Sequence, residues 1–83
     1  MPNHPNRGWR SRWVVGEREA RHLPTGLIVQ FEPHPDGGWQ GQSPNAAEVF
    51  DALIAAGTQN LQQVAARLMR EAGDIYSESR RER

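Results

Sequence analysis

Eighty-three residues are enough for one small domain with a marginal core. The chain has no cysteine, which excludes a disulfide framework, a thiolate nucleophile and a cysteine-held zinc or iron–sulfur site. Ten basic and ten acidic residues leave a formal net charge of zero, which argues against both an electrostatic nucleic-acid clamp and an acidic DNA mimic.

Residues 1–8, "MPNHPNRG", hold prolines, asparagines and a glycine with no apolar residue after Met1, and are expected to form a disordered arm. They lack the apolar stretch of a signal peptide. No apolar run reaches the ~20 residues of a membrane-spanning helix. A soluble, cytoplasmic protein that does not engage membranes is therefore expected. All ten basic residues are arginine, which fits the codon usage of a GC-rich bacterial genome. They are unevenly spread. Arg7, Arg10 and Arg12 have no acidic neighbour before Glu17, and 30–60 contains no arginine.

Residues 9–32 read as β-structure. Trp9, Ser11, Trp13 and Val15 alternate with Arg10, Arg12 and Val14 at period two. Leu27, Val29 and Phe31 share a face of "LIVQFE". "LPTG" between the two runs supplies turn chemistry, so a hairpin is expected. A Pro24-Thr25-Gly26 loop would set Glu19 and Arg21 on the face of Val29 and Phe31. A Thr25-Gly26 turn sets Ala20 and His22 there, and is preferred because that face must be apolar. Gly16 marks a bulge or bend. "GWQGQ" at 38–42 is expected as a short third strand at an edge.

Two helices follow. Asn45 with Glu48 has the spacing of a capping box, and Ser43 before Pro44 offers a competing start. Ala46, Val49, Phe50, Leu53 and Ala56 share a helical face that Gly57 would terminate. From Thr58 or Asn60 a second apolar stripe runs through Leu61, Val64, Ala65, Leu68, Ala72, Ile75 and Tyr76. One helix is expected to about residue 77, with 78–83 fraying. The expected fold is α+β: a small antiparallel sheet, a hairpin plus a short third strand, packed on a C-terminal helical hairpin within 9–77. Val15, Leu27, Val29, Phe31, Val49, Phe50, Leu53, Leu61, Val64 and Leu68 are the expected core.

His34-Pro35-Asp36 matches the tripeptide of a J-domain, but it follows a strand where a J-domain has a basic helix, so the context is wrong. As a His/Asp catalytic pair it lacks a rigid shell, since two prolines and two glycines surround it. His22, His34 and nearby carboxylates have no helical metal-ligand spacing. "LQQVAARLM" resembles the first helix of a helix-turn-helix, but Met69 occupies the turn position and the stripe continues past it. No catalytic residue, cofactor or metal is therefore assigned.

Binding of another macromolecule remains. Trp and Arg are enriched where proteins bind one another. Trp9, Arg10, Arg12 and Trp13, with His34, Asp36 and Trp39 of the adjoining loop, form the expected contact surface for another protein or for self-association through a sheet edge. The three tryptophans would share one edge. The alternative is nucleic-acid binding through Arg7, Trp9, Arg10, Arg12 and Trp13, which interleave arginine with aromatics.

Overall fold

Leu27, Val29 and Phe31 alternate with polar residues along the longest strand, and all three are buried on one face of a four-stranded sheet. The computed structural model describes the backbone of residues 5–81 and the side chains from residue 8 onward. The elements run α1 (Pro5–Arg10), β1 (Trp13–Val15), β2 (Glu19–His22), β3 (Ile28–Pro33), β4 (Trp39–Gln42), α2 (Ala46–Ala55) and α3 (Leu61–Arg81). The sheet is an antiparallel meander in the order β1-β2-β3-β4. The α+β class is as expected from the sequence. Four strands are present because the first arm of the expected hairpin folds back on itself. Gly16 N–H bonds to the Glu19 carbonyl at 2.7 Å, and the chain turns there.

The β2–β3 register places Ala20 opposite Val29. Ala20 and His22 therefore lie on the apolar face, as preferred, but the pairing is slipped by two residues. A loop over Leu23–Gly26 replaces the two-residue turn. It is closed by Gly26 N–H to the His22 carbonyl at 2.7 Å, with Gly26 at φ 80°.

α3 covers this face of the sheet. Leu68, Ala72 and Tyr76 recur every four residues and are all buried. With Trp13, Ala20, Leu27, Val29, Phe31 and Val49 they form the core. Val15, Phe50, Leu53 and Val64 of the expected core pack at its margin. The opposite sheet face carries Glu19, Arg21, Gln30, Glu32, Gln40 and Gln42 and is largely open.

α2 is held by a contact that its sequence signal does not describe. Asn45 makes no capping hydrogen bond. Its Oδ1 accepts from Ile28 N–H at 3.0 Å, and its Nδ2 donates to the Gly26 carbonyl at 2.9 Å. The amide thus clamps the helix start to the β2–β3 loop. The other end follows expectation. Gly57 at φ 85° lets Thr58 N–H reach the Leu53 carbonyl and Gly57 N–H reach that of Ile54, a Schellman cap.

The chain ends differ from the sequence reading. Residues 5–10 form a helical turn, so Trp9 and Arg10 are not in a strand; residues 1–4 of the expected arm, with His4, lie outside the described residues. α3 continues to Arg81, beyond the expected end near 77. The two departures meet at one contact. Arg10 grips Glu78 with two parallel bonds, Nε to Oε1 at 2.9 Å and Nη2 to Oε2 at 2.6 Å. The pair holds α1 against the last turns of α3, and Trp9 packs on the core beneath it.

Candidate interaction surface

Trp13 and Trp39 lie on the strands at opposite edges of the sheet, so the tryptophans do not share one edge. Trp13 is buried. Its Nε1 donates to Glu71 Oε1 at 3.0 Å and its ring lies 4.8 Å from that of His22. It belongs to the core and is removed from the expected contact surface. Trp9 is partly buried, and Arg10 lies over its ring at 4.5 Å while bonded to Glu78. Of the remaining residues of the nucleic-acid alternative, Arg12 is exposed and the Arg7 side chain lies outside the described residues.

Arg12 borders a cavity of about 280 Å³ walled by Leu53, Val64 and Leu68. Arg67 and Glu71 complete its polar end, and Arg67 Nε lies 3.8 Å from Glu71 Oε2. His22 reaches this cavity from beneath, with Nδ1 at 2.8 Å from Thr25 Oγ1. Burial pushes the His22 protonation equilibrium below its ordinary 6.5, and Arg12 and Arg67 act the same way, against the pull of Glu71. The sign for stability follows. The unfolded chain takes up a proton at His22 more readily than the folded one, so this contribution is complete above pH 6.5 and is lost as pH falls below it. The thermal midpoint of the wild type is expected to drop between pH 7.5 and 5.5, roughly the window of an ordinary histidine. In His22→Asn, which can keep a bond to Thr25, the slope over that interval should flatten. An unchanged slope would remove His22 as its source. Glu78, held below its ordinary 4.5 by the bond from Arg10, acts only at lower pH.

His34 and Asp36 sit in the β3–β4 turn. His34 N–H bonds to the Gly38 carbonyl at 3.0 Å, and Gly37 and Gly38 both take positive φ. His34 Nδ1 accepts the Asp36 backbone N–H at 3.1 Å, a bond that needs this nitrogen unprotonated. The Asp36 carboxylate stands 3.8 Å away and its side chain is 92% exposed. The imidazole braces its own turn, and the Asp36 carboxylate is open to solvent.

Trp39 begins β4 at the end of this turn. Its ring meets Tyr76 edge-on at 5.6 Å, and Tyr76 stacks on Phe31 at 4.2 Å. Arg80 lies 5.2 Å from the Trp39 ring centroid and 5.8 Å from that of Tyr76. The Tyr76 hydroxyl donates to the Glu17 carbonyl at 2.9 Å. A ladder thus runs from the buried Phe31 through Tyr76 to Trp39 and Arg80 at the surface. Trp39 remains 41% exposed. Tyr76 and Arg80 were not among the expected contact residues. Their four-residue spacing is the available signal, and it was hidden by the expectation that the helix ends at 77.

β4 is exposed along its whole length. Its hydrogen-bonding pattern follows from β3. Phe31 N–H bonds to the Arg18 carbonyl, and the Leu27 carbonyl accepts from His22, so the odd-numbered residues of this stretch point toward β2. By alternation Gln30 and Glu32 face β4, where they pair with Gln42 and Gln40. The N–H and C=O groups of Trp39 and Gly41 therefore point away from the sheet. Neither backbone takes part in a turn, loop or cap bond among the described residues.

No helix among the described residues is long and apolar enough to cross a membrane. Neither a protein-family model, nor a curated protein, nor a solved structure matches this chain.

Proposed function

We propose that this chain is a non-enzymatic interaction module that binds protein by strand addition at the outer edge of β4, anchored by Trp39 and Arg80. The observation that carries this reading is the β4 edge, left uncovered by the described residues, with the backbone groups of Trp39 and Gly41 turned outward. Main-chain bonds to an added strand supply affinity, and the adjoining side chains supply selectivity. Tyr76 supports Trp39 from the core side and limits its rotamer freedom, which lowers the cost of ordering it on binding. His34 and Asp36 rim the site within the preceding turn.

The nucleic-acid alternative has less support. Of its five residues, Trp13 is buried and Arg10 is committed to Glu78. Trp9 carries Arg10 on its ring.

Panning a library of random extended peptides against the immobilised protein tests the reading. Peptides should be enriched whose affinity falls about tenfold or more in Trp39→Ala, the effect of losing a hot-spot aromatic. Absence of enrichment, or binding indifferent to Trp39→Ala, contradicts it.

A further inference from the structure

Resting on the reading of β4 as a contact edge, we propose that its occupant is a second copy of this chain, joined β4 to β4 about a two-fold axis. Within this short strand only Trp39 and Gly41 turn their backbone groups outward. An antiparallel neighbour uses both of them within the strand when Trp39 faces the partner's Gly41 and Gly41 faces the partner's Trp39. That register is symmetric, so one patch satisfies itself on both copies.

The side chains fit the same register. Trp39 and Gly41 lie on the α3 face, because Gly41 pairs with Phe31 and Trp39 touches Tyr76. The pairing lays the indole across the partner's Gly41, where there is no side chain to displace. Covering a strand glycine with a cross-strand aromatic is a known stabilising device. Gly41 is small for a reason internal to the chain. A Cβ there would come within 3.0 Å of the Phe31 ring and 3.1 Å of Val29. Phe31 and Val29 thus cover Gly41 from within the chain, and the partner's Trp39 packs against their outer edge. On the open face Gln40 meets the partner's Gln40 across the axis, in a pair that is not bonded through the backbone and lies roughly 4.5 Å apart at Cα. Each amide has both a donor and an acceptor for the other.

The absence of charge permits a copy of the strand at this edge. Residues on a two-fold axis meet themselves, so any charge there repels its own image. "WQGQ" carries none. Edge strands that must stay unpaired are guarded by shortness, lysine, proline or a bulge, and of these β4 has only its four-residue length.

The test is sedimentation equilibrium at low salt on wild type, Gln40→Lys, Gln40→Glu and an equimolar mixture of the two variants. Wild type should show reversible, concentration-dependent dimers. Each variant alone should dimerise roughly fivefold more weakly, because like charges face each other across the axis. The mixture should recover or exceed wild-type association, since lysine then faces glutamate. Gln40→Glu also faces Glu32 within its own chain, so thermal unfolding is recorded for each variant. Recovery in the mixture itself requires both to be folded. Wild type that stays monomeric at every concentration overturns the proposal, as do variants that associate like wild type or a mixture that recovers nothing. A monomeric wild type that still captures peptides through Trp39 would overturn self-pairing alone, whereas the loss of both would overturn the edge reading as well.

Discussion

Tyr76→Ala is expected to cost about 3–5 kcal/mol, enough to unfold much of a marginally stable small domain. Tyr76 is 1% exposed and joins three parts of the molecule. Its ring stacks on Phe31 of β3 with planes 9° apart and meets Trp39 of β4 edge-on. Its hydroxyl reaches the Glu17 carbonyl in the β1–β2 turn. Truncation opens a cavity between α3 and the sheet and leaves that carbonyl only the longer bond from Arg80 Nη1 at 3.5 Å. Tyr76→Phe separates the two effects, because it keeps the ring and removes only the bond, for about 1 kcal/mol. Urea unfolding of the three proteins measures both values. A Tyr76→Ala midpoint close to wild type would mean that α3 does not lie on the sheet in this way.

Trp13→Ala is the second large effect, again about 3–5 kcal/mol. Trp13 fills the core beside His22, and its indole N–H satisfies Glu71. Glu71 is only 15% exposed in its side chain, so the truncated protein holds a carboxylate that has lost a donor as well as a cavity. Trp13→Phe should cost about 1–3 kcal/mol, chiefly for that lost bond. The alternation of tryptophan and arginine in the sequence places Trp13 at a contact surface. A surface residue truncated to alanine leaves unfolding within about 0.5 kcal/mol of wild type. Urea titration therefore distinguishes the two roles directly, and any loss of binding in Trp13→Ala should accompany loss of the fold.

What could be read from the sequence is what local pattern determines. The apolar period of α2 and α3, the alternation in β3, and Gly57 as a helix stop are properties of residues a few positions apart. The placement of β4 after Gly37-Gly38 belongs with them. What was missed depends on distant partners. Residues 9–12 alternate like a strand, but Arg10 finds Glu78 and Trp9 finds the core, and the segment becomes helical or turn. The same ion pair joins α1 to α3 past residue 77. Asn45 sits where a cap should be and bonds to the β2–β3 loop instead, 17 and 19 residues away. The roles of the tryptophans were illegible for a related reason. Composition shows three large aromatics, but only the strand order shows that Trp13 and Trp39 stand at opposite edges. Of the expected contact residues, Trp39, His34 and Asp36 remain together in and beside one turn, and the structure adds Arg80 to Trp39.

Residue-resolved amide hydrogen exchange tests the β4 edge most directly. Gln40 and Gln42 should exchange slowly in the isolated chain, because they pair with β3, while Trp39 and Gly41 exchange fast. When the protein self-associates or takes up a selected peptide, the Trp39 and Gly41 amides should become protected and the two glutamines should change little. Protection that appears instead in α1 or around the cavity of His22 and Arg12, with Trp39 and Gly41 still fast, would contradict the assignment of β4 as the contact edge.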